Sequence, residues 1–420
     1  MPSDLPARSL GKAPAAAGLP AVPCGMVLVL RAGQVFDGER FLGERDVVIE
    51  DGTIREVTTP GSYAADVTVR DLGSSATLLP GLIDAHVHLS WDGSGDALAW
   101  FSGSSDAELL AEARRNARTT LAAGVTTVRD LGGRGRTLLD LRAECARDLA
   151  AGPTVLASGP PLTSVGGHCW FLGGEVSGAT AIEAEVARQA AMGVDLVKVM
   201  ATGGNITPGS AAHESQFTTA ELTALVRAAH EAGLPVAAHV HGVDGVVAAL
   251  DAGADTLEHV SFMTADSIAE DPRLVERLAA SGVVASLTGG FRPGPMPPAI
   301  AARLPELTAH LRRLTDAGVT WIVSSDAGIG PHKPPGVLPY AVPQAVAVTG
   351  QPVAHALAAC TSRAADALGI ADRAGRLRPG MPADLLAVDG RVDDDPAAVT
   401  RPLFVIRRGE VVVDCPTPSA

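Results

Sequence analysis

"EAGLPVAAHVHG", residues 231–242, carries the pattern on which the fold turns. A helical end reaches Gly233, and a short strand of Val, Ala and His follows at once. Glycine just past the last helical residue takes the left-handed conformation that closes a helix. The same unit recurs as "LAAGVTTVRD" (121–130), "LAAGPTVLASG" (149–159) and "AMGVDLVKVMATGG" (191–204). It returns as "DAGADTLEHV" (251–260), "ASGVVASLTGG" (280–290) and "DAGVTWIVSSDAG" (316–328). Glycines 124, 152, 193, 233, 253, 282 and 318 mark the helix ends. Thr180 with Glu183 and Thr218 with Glu221 have the spacing of capping boxes, and so mark helix starts. With "LLPGLIDAHVHL" (78–89) at the head, eight strands alternate with helices, which predicts a parallel sheet closed as a (β/α)8 TIM barrel over residues 78–368.

The ends of the chain read differently. Residues 26–77 and a second stretch near 375–414 show short alternating strands with Gly turns. Two half-sheets at opposite chain ends most simply pair, which predicts a small β-sandwich domain from 26–77 plus 369–415. Residues 1–25, rich in Pro and Ala, read as a disordered tail. They lack the apolar run of a signal peptide.

Composition excludes several roles. A formal charge of −14 argues against a nucleic-acid surface, which needs clustered Lys and Arg. No apolar run approaches the ~20 residues of a membrane helix. Five widely spaced cysteines give neither a disulfide framework nor a zinc-finger spacing, so the chain reads as reduced and cytoplasmic. The expected partner is a small-molecule substrate, with neither nucleic acid nor membrane; association into a homo-oligomer stays open.

In such a barrel the active site lies at the carboxyl ends of the strands. Strand one ends in His86 and His88, strand four carries Lys198, and strand five ends in His239 and His241. Strand six ends in Glu258 and His259, and strand eight in Asp326. Strands two, three and seven end in Asp130, Gly159 and Gly289. A lone His-x-His pair is satisfied by two hydrogen-bonded strand histidines. Histidines, an aspartate and a lysine gathered at one rim instead read as a metal or catalytic site. Neutral imidazoles with carboxylate-type oxygens suit zinc or a similar divalent ion.

Lys198 is the telling member. Of 33 basic residues only Lys12, Lys198 and Lys333 are lysines. Leu196, Lys198 and Met200 share one strand face, which places the amine in the barrel interior. Burial lowers a lysine's pKa and frees a neutral amine able to add CO2, which arginine does not do. A lysine snorkelling from a strand end is the plain alternative.

Together "PGLIDAHVHL", "GVTTVRDLGG", "VDLVKVMATGG", "VAAHVHG", "GADTLEH", "SSDAG" and "RLRPGMPADLLAVD" resemble the amidohydrolase superfamily. The likeness is to its imidazolonepropionase-like and prolidase-like (Xaa-Pro dipeptidase-like) branch, and spans about residues 26–412. The resemblance implies two divalent metal ions, usually zinc. His86, His88 and Asp326 would ligate one, His239 and His259 the other, with Lys198 bridging as its carbamate. It implies a hydrolase acting on the C–N bond of a dipeptide or N-acyl amino acid through a metal-activated hydroxide, with Asp326 as general base and acid. A lactonase or cyclic-amide hydrolase on the same site is the alternative.

His168, in the Gly-rich loop "SVGGHCW", resembles a substrate-contacting histidine of the branch. His241 lies on the face of His239 and is the candidate to polarise the carbonyl, although some relatives carry tyrosine there. Cys169 adjoins His168 and invites a thiolate reading, but with no sign of a base or resolving cysteine serving it, it reads as a core residue. His213, His230, His310 and His355 read as structural. The segment "GIGPHKPPGVLPY" (328–340) lacks the acidic residue many relatives carry farther along it. His332 and Lys333 in it are expected over the mouth, as substrate-carboxylate contacts or as a solvated loop.

Overall fold

The computed structural model describes residues 27–65, 67–294 and 298–415. The expected tail, 1–25, lies outside them.

Eight parallel strands carry the site: β1 (Leu82–Val87), β2 (Val125–Asp130), β3 (Thr154–Ala157), β4 (Val197–Met200), β5 (Val236–Gly242), β6 (Thr256–Met263), β7 (Val284–Thr288) and β8 (Trp321–Ser324). They form two parallel sheets, ordered β1-β2-β3 and β4-β5-β6-β7-β8. Backbone pairs join the two sheets at both edges. Ser158 and Leu162 beyond β3 pair with Leu196 and Val199, and Val87 pairs with Ala327 beyond β8. There Asp326 N donates to His86 O at 2.8 Å, and His88 N to Ala327 O at 2.8 Å. The protein is thus an α/β fold built on parallel sheets, with helices between successive strands.

Both faces of these strands are covered, so they read as nearly continuous apolar runs. Residues in β1, β2, β4 and β8 are buried throughout. In β4 the expected alternation holds. Val197 and Val199 join the main core, Leu196 packs with Leu131 and Ala237, and Met200 joins Trp91 and Cys169. Lys198 falls on the row of Leu196 and Met200.

Two local expectations differ. The helix Ala179–Met192 starts at Gly178, with φ +78°, and has no side-chain cap, so Thr180 lies inside the first turn. The chain reverses at glycine two residues earlier than a threonine cap requires. Thr218 and Glu221 do form a reciprocal capping box, as do Ser105 and Glu108, which the sequence reading passed over. Gly193, Gly253 and Gly282 close their helices in the left-handed conformation. Gly152 does not: a Cβ there would lie 2.8 Å from both Ala117 Cβ and Cys145 Sγ. It is glycine for close approach.

Strands from the two chain ends share a sheet. Thr77–Pro80 pairs antiparallel with Leu385–Val388, in a five-stranded sheet completed by Gln34–Val35, Pro402–Arg407 and Glu410–Asp414. A four-stranded sheet holds Val27–Ala32, Arg45–Glu50, Thr53–Thr58 and Thr68–Asp71. Leu28, Leu30 and Ile49 of one meet Leu78, Leu385 and Phe404 of the other in one apolar cluster. Among the described residues, no helix is long and apolar enough to cross a membrane.

Candidate functional site

At the carboxyl ends of the strands, two groups of potential ligands converge. His86, His88 and Asp326 form one, and His239, His241 and His259 the other. Within each group the ligand-capable atoms lie within 4.8 Å of one another. In the first group, His86 Nε2 and His88 Nε2 stand 3.4 and 3.2 Å from Asp326 Oδ1. His86 Nδ1 is 2.9 Å from Glu258 Oε2, and burial brings the His86 pKa down to about 4. A neutral His86 beside a carboxylate carries its proton on Nδ1 and donates to Glu258. Its bare Nε2 lone pair then faces a carboxylate oxygen of Asp326. Two acceptors pointed at each other repel, unless a cation lies between them.

The second group repeats the pattern with neutral partners. His239 Nε2 is 3.0 Å from Gly203 O, which only accepts, so the proton sits on Nε2. Its Nδ1 lone pair faces His259 Nε2 at 3.0 Å. His259 Nδ1 meets Thr288 Oγ1 at 2.9 Å, and His241 Nδ1 meets Ser261 Oγ at 2.7 Å. Burial holds both His239 and His259 well below the ordinary imidazole value, leaving their lone pairs available for a metal.

Lys198 belongs with both groups. It is 1% exposed and its Nζ has no hydrogen-bond partner. Burial lowers its pKa to about 8, and its charge acts on His86, His239 and His259 alike. An unpartnered buried ammonium is costly. Burial shifts it towards the neutral amine.

The amidohydrolase family model matches residues 77–413. The chain belongs to the amidohydrolase family. Among curated relatives of this amidohydrolase, ochratoxinase of Aspergillus niger is 28% identical over 430 aligned residues, covering 89% of this chain and 85% of the relative. Imidazolonepropionase of Deinococcus deserti is 29% identical over 393 residues, covering 83% and 86%. A solved Xaa-Pro dipeptidase with methionine bound in its active site superposes with a TM-score of 0.80 at 26% identity, covering 92% of this chain and 99% of that one. The protein is accordingly a hydrolase acting on C–N bonds.

Several supports of this amidohydrolase site were not singled out in the sequence. Arg129, in β2, donates to Glu258 Oε1 at 2.8 Å, to Thr256 Oγ1 at 3.0 Å and to Ala85 O at 2.7 Å. Burial pushes the Glu258 carboxyl up, but Arg129 and His86 outweigh it and keep Glu258 ionised. Asp84 accepts from Ser325 N at 2.9 Å and from the Ser325 hydroxyl, which fixes the approach to Asp326. Asp326 has φ +58° and His259 φ +70°, the left-handed region that non-glycine residues seldom occupy. Val260 and Phe262 share it, and the β5–β6 register breaks there. Nothing in "EHVSFM" announces this bulge, since it contains no glycine.

The remaining candidates fall as follows. His168 is buried, lies 5.0 Å from His239 ring to ring, and leaves Nδ1 unpartnered. His241 stacks on His259 at 4.4 Å and joins the second group. Asp130 accepts from Leu89 N and Gly132 N and so ties the loop after β1 to the loop after β2. His332 reaches the cavity, stacked on Phe291 at 5.8 Å. Lys333 is no solvated loop residue: it is 4% exposed and donates to Ser325 O at 2.7 Å and Thr288 O at 3.2 Å. It ties the residue before Asp326 to the residue whose hydroxyl meets His259. Burial raises the Cys169 thiol to about 12, which fits a core residue. Of the histidines read as structural, His310 is buried on Val260 O, His230 pairs with Asp255 and His355 with Gln351.

Both histidine groups, Lys198, His168 and Lys333 line one cavity of about 880 Å³. Its remaining wall is largely apolar, with Trp91, Met200, Phe291 and Leu307 among the lining residues.

Proposed function

We propose that the protein is a binuclear metal-dependent amidohydrolase that cleaves the amide of a dipeptide or N-acyl amino acid. The observation that carries this reading is Lys198 Nζ, buried, unpartnered and acting on both groups of lone pairs. His86, His88 and Asp326 would hold one ion and His239 and His259 a second. Lys198 would serve both: its neutral amine would add to CO2, lose a proton, and present one negative charge shared by two oxygens. The ions, zinc in this reading, would supply Lewis acidity, making water acidic and the scissile carbonyl electrophilic.

The chain's own groups do the rest. Asp326 takes a proton from the attacking water and passes it to the departing amine nitrogen. Lys333 and Asp84 keep Asp326 in its left-handed pose by holding Ser325 from two sides. Glu258 keeps His86 in one tautomer. His241 donates toward the carbonyl oxygen, and His168, with Nδ1 unspent, binds the far end of the substrate.

This reading includes a closed (β/α)8 barrel over 78–368, supported by the backbone pairs at both sheet edges. It includes a terminal β-sandwich (26–77 plus 369–415), supported by the apolar cluster the two terminal sheets share. A cytoplasmic location is in keeping with four free cysteines among the described residues. Loading the protein with zinc and screening dipeptides and N-acyl amino acids tests the function. Release of free amino acid, with two metal ions per chain, is the expected result; hydrolysis of lactones or ring amides alone would replace it with the alternative chemistry.

A further inference from the structure

The cavity does not end at the strand tips. It continues between the helices Pro298–Asp316 and Leu338–Thr349, where Leu304, Leu307 and Leu311 of the first and Ala345 and Val348 of the second are lining residues, with Trp321 of β8. Spacings of three and four residues place each set on one helix face. The result is a largely apolar lobe, with Arg303, Thr308, Gln344 and Thr349 also among its lining residues. It is continuous with the candidate metal centre, in a cavity at the upper end of the ~300–1,000 Å³ typical of small-molecule sites.

Charge sets a second condition. Among the described lining residues Asp326 is the only carboxylate side chain, whereas Arg303 and Lys333 are basic and, in the binuclear reading, Lys198 is taken up with the metal ions. Arg303 donates to Ala265 O at 3.2 Å, and Lys333 to two further backbone carbonyls, so neither is spent on a carboxylate hydrogen bond. A dipeptide brings a free ammonium next to its scissile amide. Asp326, already engaged with His86 and His88, is the one carboxylate side chain it would find among the described lining residues. An N-acyl amino acid brings a carboxylate and no ammonium.

Resting on the amidohydrolase reading, we propose that the substrate is an N-acyl amino acid whose long, uncharged acyl chain occupies the lobe between these helices. Water adds its oxygen to the acyl carbon, the C–N bond breaks, and both water protons end on the departing nitrogen as an ammonium. The products are an alkanoate and a free amino acid, with no other reactant consumed.

The test uses zinc-loaded full-length protein and glycine acylated with acetyl, butanoyl, hexanoyl, octanoyl and decanoyl groups. Burial of one methylene corresponds to about fourfold in kcat/KM, so the series should climb by roughly that factor per carbon until the lobe is full. Leucylglycine and 4-methylpentanoylglycine differ only in the α-ammonium, and the acyl compound should be favoured at least ~10-fold, as for an ammonium desolvated without a partner. Ala345→Trp and, independently, Val348→Phe should flatten the series, bringing the decanoyl-to-acetyl ratio of kcat/KM down towards one.

A separate arm reads binding without catalysis. In metal-free protein, butanoate to decanoate should bind with affinity rising with length, followed by the fluorescence of Trp321 and Trp91, both at the cavity. A flat acyl series with active acetylglycine would overturn the lobe assignment and leave the amidohydrolase reading standing. Faster cleavage of leucylglycine would overturn the choice of N-acyl amino acid. If no amide is cleaved, the amidohydrolase reading fails, and chain-length-dependent alkanoate binding still decides the lobe.

Discussion

The two ligand groups face one cavity, yet they are held by different chemistry. On the β1 side, His86 leans on a buried carboxylate, and that carboxylate on a buried guanidinium. On the β5–β6 side, His239, His241 and His259 lean on a carbonyl and two hydroxyls, with no charge among these partners. A carboxylate behind a histidine raises its basicity and fixes its tautomer more firmly than a neutral partner does. In the proposed binuclear reading the first group would therefore hold its cation harder than the second. Lys198, acting on both, is the one residue whose loss should treat them alike.

That comparison breaks most readily at Lys198. Lys198→Ala should empty both sites and lower kcat at least ~1,000-fold, as Lewis acidity is worth several kcal/mol. Lys198→Arg should do no better. Acetate or propionate should restore part of the activity of the Ala variant, whereas acetamide should not. Metal analysis that finds one group still loaded would show the groups to be independent. Wild-type activity in Lys198→Arg would remove the bridge altogether.

Next in size is Asp326→Asn, expected to lower kcat at least ~100-fold while the fold survives. Steady-state kinetics beside a circular dichroism melt check both halves of that statement. Retention of most activity would take Asp326 out of the proton path and leave the first group a binding device.

The asymmetry itself is measured by pairing Glu258→Gln with Thr288→Val. The first should weaken one metal site ~10–100-fold. It should also cost ~3–5 kcal/mol of stability, because Arg129 is left buried without its counter-charge. Thr288→Val removes a neutral bond and should cost ~1 kcal/mol with a few-fold loss at the other site. Stepwise metal titration and thermal melts distinguish them, and equal effects would erase the proposed difference.

The smallest effects separate His168 from His241. His168→Asn should raise KM about tenfold with kcat little changed, as for lost uniform binding, while His241→Asn should lower kcat and kcat/KM together by about the same factor. Wild-type kinetics in either variant would place that histidine outside the reaction.

Reading from sequence succeeded where the signal was local and periodic. Strand β5 follows Gly233 as expected, and its alternate residues put His239 and His241 on one side and Val240 in the core. Lys198 stood out because a chain rich in arginine kept a lysine within a strand, and it is buried there. The reading failed where an adjacent residue or a distant segment outweighed the local signal. Thr180 has the right spacing for a cap, but Gly178 had already turned the chain. Lys333 looks like a loop cation until Ser325 and Thr288 offer it two carbonyls.

The helix–glycine–strand units, and the side of each strand on which a histidine or lysine falls, follow from backbone geometry within a few residues. Local sequence is enough for them. Pairings such as Arg129 with Glu258, or Lys333 with Ser325, join different strands or loops, and their energies exist only once those segments meet. The left-handed backbone at His259 and Asp326 is of the same kind. It is disfavoured residue by residue, and it persists because the surrounding bonds, assembled across the sheet, hold the chain where local preference would not.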